Sequence, residues 1–115
     1  MRNSIKIHPG LNDEQRIMVK KVAASKGLLE IRSDKSYRLY KLGDRAAGGA
    51  LIKLEERQYR AHGEVLLLGL NLQVWLYVRG LRDWFKTSPI ISCTKDKSKF
   101  IIETMNSFYE LEEEK

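Results

Sequence analysis

The sequence predicts an α+β fold, mainly antiparallel sheet with two helices, in the order β-α-β-β-α-β followed by a C-terminal β-hairpin. Three observations carry this expectation. The stretch "NDEQRIMVKKVAASKG" has helix signals at both ends, "LLLGLNLQVWLYV" alternates with period two, and "IISCTKDKSKFIIETM" sets two apolar runs about a polar loop. Strand side chains alternate between faces while helical ones recur every 3.6 residues, so the two periods separate the elements.

In chain order, "SIKIH" alternates Ile5 and Ile7 as a short first strand, which His8-Pro9-Gly10 turns. Asn12 is a natural N-cap, and Gln15 stands at the reciprocal capping-box position. Asp13 and Glu14 suit the positive helix end, and Gly27 stops the helix. Met18, Val19, Val22 and Ala23 form its apolar stripe, while Arg16, Lys20 and Lys26 face water. "LLEIR" and "YRLYKL" about "SDKS" read as a hairpin with a four-residue loop.

"GDRAAGGALIKLEERQYRAHG" is the second helix, capped by Asp44 and ending at Gly63, with Ala47, Ala50, Leu51, Leu54 and Ala61 at helical spacing. Gly48-Gly49 cost such a helix about 2 kcal/mol relative to alanines. The alternative is a loop through the glycines and a strand near Leu51–Leu54. From Leu66 to Val78 every even position is aliphatic, which predicts one long central strand, bent or bulged at Gly69, with its even face in the core. "GLRDWFKTSP" is one helical turn or a tight corner closed by Pro89. "IISC" and "KFIIETM" form the last hairpin about "TKDKS", and "FYEL" adds a short strand.

The 115 residues fit one domain, expected over 1–111, with 112–115 as a short acidic tail. An apolar content of 43% supports a buried core. One cysteine, Cys93, excludes an intramolecular disulfide and a cysteine-rich metal site, in keeping with a reducing, cytoplasmic setting. The N-terminus lacks the apolar region of a secretory signal. The apolar run at 66–78 falls short of the ~20 residues a membrane helix needs. Charge is uneven: residues 1–62 carry 14 Lys/Arg against 7 Asp/Glu, residues 63–115 carry 7 against 8. A basic half favours phosphate or acidic proteins as partners.

Catalytic and metal chemistry find little support. His8, His62 and Cys93 are widely separated, without ligand spacing. "GDRAAGGA" begins like a phosphate-binding loop but has Gly49 and Ala50 where the Lys and Ser/Thr belong. There is no G-x-S-x-G, and the adjacent Glu55 and Glu56 point apart. Metal, cofactor and enzyme activity are therefore not expected.

Binding has more to rest on. Residues 13–42 resemble the end of a winged-helix domain, with helix, strand and a basic wing bearing Arg32, Lys35 and Arg38. Only eleven residues precede Asn12, where that family has further helices. "YRLYKL" puts Tyr40 and Arg38 on one strand face, a pattern suited to stacking on bases and pairing with phosphates, though without the RNP1 aromatic-glycine pattern. Gln73, Trp75, Tyr77 and Arg79 share one face of the central strand, with Arg82 following. Burial under a helix is the plain alternative for these rings, since large aromatics are mostly covered. The function expected is a small non-enzymatic binding module. Its ligand is nucleic acid or an acidic protein, bound through Arg32, Lys35, Arg38, Tyr40, Gln73, Trp75, Tyr77, Arg79 and Arg82. The rival is a protein-interaction or inhibitor subunit, a homodimer among its forms, with no nucleic-acid role.

Overall fold

The computed structural model describes residues 4–114. One helix and nine strands follow in order: β1 (Lys6–Ile7), α1 (Asp13–Ser25), β2 (Tyr37–Arg45), β3 (Leu51–Gly63), β4 (Val65–Leu70), β5 (Gln73–Arg79), β6 (Trp84–Lys86), β7 (Ile90–Asp96), β8 (Lys99–Thr104) and β9 (Ser107–Glu113). The fold is mixed α+β, with 12% of residues helical and 56% in strands. A small sheet runs β1-β4-β5-β6 and a large one β3-β2-β9-β8-β7. All pairings are antiparallel except β1 with β4.

Both sheets bury one face in a shared core. The small sheet contributes Val65, Leu67, Val74, Leu76 and Val78, and the large sheet Tyr37, Leu39, Phe100, Ile102, Tyr109 and Leu111. The rings of Phe85 and Tyr109 meet edge to face at 6.0 Å between the sheets. Helix α1 lies against the core face of the small sheet, burying Val19 and Ala23. Its capping box forms as the sequence predicts: Gln15 N–H donates to Asn12 Oδ1 and Asn12 N–H to Gln15 Oε1, both at 2.9 Å. The helix ends at Gly27, whose φ of +79° favours glycine, and where a Cβ would lie 2.4 Å from the Cys93 carbonyl oxygen. That close approach lets Cys93 N–H donate to the Lys26 carbonyl at 2.8 Å, so the helix terminus covers part of the β7 edge.

The second helix expected between Asp44 and Gly63 is not formed. A turn through Gly48-Gly49 leads instead into β3, as in the alternative considered for this stretch. Pairing with β2 supplies the backbone bonds a helix would have made, and the two glycines fall outside any regular element. The "LLEIR" arm of the expected hairpin is also absent: Leu28–Arg32 form turns with one bridge, Ser4 to Arg32. Leu28 and Ile31 are both fully buried, and a spacing of three residues suits a turn rather than an alternating strand. Without that strand, the winged-helix likeness fails as well.

The long central strand is two strands. β4 and β5 form a hairpin through Asn71-Leu72, with Leu70 opposite Gln73. Asn71 adopts a left-handed φ of +57°, which asparagine tolerates better than most residues. The even-face expectation holds along β5 and fails along β4, where Val65 and Leu67 point inward while Leu70 is exposed. "WFK" is strand β6 rather than a helical turn. The C-terminal hairpin and final strand form where expected, and Glu112 and Glu113 are the last rungs of β9. No described helix is long and apolar enough to cross a membrane.

Candidate functional site

The β-register of the small sheet assembles one outward face. Residues directly opposite on paired strands share a face. Lys6, Leu66, Tyr77 and Lys86 therefore form one row across β1, β4, β5 and β6. Leu68 and Trp75 form the next, Leu70 and Gln73 the one beyond, and Arg79 with Trp84 the row at the opposite end. Helix α1 packs on the reverse side, where Val19 meets Gly69. Leu66 is buried on the outward side yet stands apart from the main core cluster. Trp75, Tyr77 and Trp84 are half-buried, their inner edges supported by neighbours.

Cations lie over these rings. Lys86 Nζ is 5.0 Å from the Trp75 ring centroid and 5.9 Å from that of Tyr77. The Arg79 guanidinium is 5.1 Å from Trp84. Exposed contacts of this kind are worth about 0.5–1 kcal/mol. Glu64, next to β4 and opposite Arg79, accepts the Arg79 N–H at its carbonyl at 3.0 Å and brings a carboxylate to the Arg79–Trp84 row. Lys6, Arg79 and Lys86 form no ion pair among the described residues.

The outer face of the large sheet is chemically opposite. Arg57 pairs with Glu110 and, at 3.5 Å, with Glu112. Lys99 reaches the same two carboxylates at 3.2 and 3.7 Å, and Arg45 pairs with Glu103 at 2.7 Å. The Glu110 carboxylate raises the pKa of the Arg57 guanidinium, chiefly through their hydrogen bond. Arg45, Arg57 and Lys99 are thus matched by Glu103, Glu110 and Glu112 on this face.

The nine candidate residues fall into separate places. Gln73, Trp75, Tyr77 and Arg79 come together on the small-sheet face. Arg82 is exposed in the corner leading to β6, lining an open hollow of about 530 Å³ with Arg60, Asp83 and Trp84. Arg38 and Tyr40 lie on the outer face of the large sheet, Arg38 opposite Glu112 and Tyr40 under the Arg57 guanidinium at 3.8 Å. Arg32 is held by Asp34 through two hydrogen bonds of 3.0 and 2.8 Å, and Lys35 lies 3.7 Å from Glu113. Sequence reasoning did not select Lys6, Trp84 or Lys86. Reading "WFK" as a strand would have put Trp84 and Lys86 on one face, and Lys6 alternates with Ile5 and Ile7.

The residues considered for metal or nucleophilic chemistry have other surroundings. His8 Nδ1 accepts a hydrogen bond from Gly10 N–H at 3.0 Å within its turn, and His62 pairs with Glu114. Burial pushes the Cys93 thiol up to about 12, with Glu30 adding in the same direction. A thiol so shifted is a poor nucleophile at neutral pH. No family model matches the chain, and no curated protein or solved structure is significantly similar to it.

Proposed function

We propose that the protein is a non-enzymatic binding module that holds nucleic acid on the outer face of β4, β5 and β6. The observation that carries this reading is the segregation of charge and rings. One sheet face has three aromatic rings and three unpaired cations, with Glu64 beside Arg79 at one end, while on the other sheet Arg45, Arg57 and Lys99 are paired with Glu103, Glu110 and Glu112. Base stacking on a ring contributes about 1–3 kcal/mol per base. Each cation that neutralises a phosphate releases counterions, so three cations give a slope of log affinity against log salt near −2 for a single strand.

Fluorescence anisotropy with labelled single-stranded and duplex DNA and RNA at about 50 mM salt tests the proposal. Binding of at least one form is expected, weakened roughly 5- to 30-fold by Trp75→Ala, the equivalent of about 1–2 kcal/mol. Absence of binding by every form would overturn it.

A protein partner is the second reading, favoured by the exposed edge strand β3 with Leu51, Ile52 and Tyr59 at its surface. Against it, β3 places Leu54–Arg57 opposite Leu42 alone, between the Lys41–Gln58 and Gly43–Lys53 pairs. Such a bulge interrupts the ladder a second strand would extend, a common protection of sheet edges. Sedimentation showing a dimer that Ile52→Lys dissociates, without nucleic-acid binding, would favour this reading instead.

A further inference from the structure

We infer that the ligand of the small-sheet face is an unstacked single strand, and that Lys86 moves from the Trp75 and Tyr77 rings to a backbone phosphate as bases take its place. This inference rests on the nucleic-acid reading and specifies its substrate. Trp75 and Tyr77 alternate along β5, which separates them by about 6.6–6.8 Å. Bases stacked in a helix are about 3.4 Å apart along each strand. Neighbouring stacked bases therefore cannot each lie on one of these rings. In a duplex the base faces are covered by their neighbours and only the edges reach the grooves. The strand that fits is one whose bases are already apart.

Lys86 Nζ lies over both rings at once, so both turn a face towards the side from which a ligand arrives. No carboxylate holds that ammonium in place among the described residues, and Lys86 is exposed. Stacking a base on a ring is worth more than the exposed cation contact it replaces. The displaced ammonium, on its flexible four-carbon stem, stays within reach of the phosphate next to that base. Arg79 over Trp84 repeats the arrangement at the end of the sheet. Beyond it the hollow walled by Arg60 and Arg82 continues the basic track, with Asp83 as the one carboxylate there to offset it.

The test combines anisotropy with tryptophan fluorescence, using single-stranded DNA, single-stranded RNA and the matching duplexes, on the wild type and Lys86→Met. Single strands are expected to bind at least tenfold tighter than duplexes and to quench tryptophan emission. DNA and RNA should bind similarly, because stacking reads ring faces rather than the 2′-hydroxyl. In Lys86→Met the salt slope should shrink by about 0.7 while quenching persists, since the rings remain and one phosphate contact is lost. Duplexes binding as tightly as single strands, or an unchanged slope in Lys86→Met, would overturn the inference and leave nucleic-acid binding standing. No binding by any nucleic acid would overturn the parent reading, and this one with it.

Discussion

At Gly69 a methyl group would sit 2.2 Å from Cγ2 of Val19, a buried and stiff side chain on α1. The absence of a side chain there sets how closely the helix approaches the sheet. Gly69→Ala should therefore destabilise the protein by about 1–3 kcal/mol, the usual effect of overpacking. Adding Val19→Ala should recover part of that loss, since the two substitutions share one space; urea titration of the single and double variants checks it. Cys93 gives a pH dependence of definite sign. Its folded-state pKa is raised from 9.0 to about 12, so between these values the unfolded chain releases the thiol proton and the folded one keeps it. Stability held below pH 9 is thus lost as pH rises through this window. Tyr37 acts in the same direction, its pKa raised chiefly by burial and opposed by the hydrogen bond from Arg32 N–H. Denaturant midpoints at about pH 8 and 10.5 should fall less in Cys93→Ala than in the wild type.

Among the elements, β5 is where sequence and structure agree best. Its polar positions alternate with Val74, Leu76 and Val78, so one face has to go inward. β4 was not legible in the same way because Val65, Leu66, Leu67 and Leu68 are apolar on both faces. A two-residue turn pairs Leu70 with Gln73 and so opposes even positions to odd ones, and no glycine in "LNLQ" announces it. Helix α1 was readable from its capping residues alone, whereas β3 carries helical spacing by coincidence and is decided by its pairing with β2. One buried contact fastens β5 to the connection after β6. Leu76 N–H donates to Thr87 Oγ1 at 3.1 Å, and Thr87 N–H to the Leu76 carbonyl at 3.0 Å. Thr87→Val keeps the shape but leaves the Leu76 N–H without that acceptor. A loss of about 1–3 kcal/mol is expected, with faster amide exchange at Leu76 as the local readout.

For the whole molecule, long-range strand pairing redistributes part of the linear charge. The basic first half supplies Arg32, Lys35, Arg45 and Arg57, and each is paired with a carboxylate. Arg32 is paired locally with Asp34, while the other three pairings are topological: β8 brings Glu103 to Arg45, and β9, lying between β2 and β8, brings Glu110 and Glu113 to Arg57 and Lys35. Lys6, Arg79 and Lys86 come together on the small sheet, built from β4 to β6 with Lys6 joining through the parallel strand β1. The aromatic part of this face was legible as Gln73, Trp75, Tyr77 and Arg79. Its cationic cover was not, because Lys86 and Lys6 arrive from other strands. The most direct test of binding at this face is a 1H–15N NMR titration with a short single-stranded oligonucleotide. Shifts are predicted at the indole N–H groups of Trp75 and Trp84 and along Tyr77–Arg79 and Trp84–Lys86, with Tyr40, Arg57 and Glu110 unmoved. Shifts concentrated on the outer face of the large sheet, with both indoles unchanged, would contradict the account.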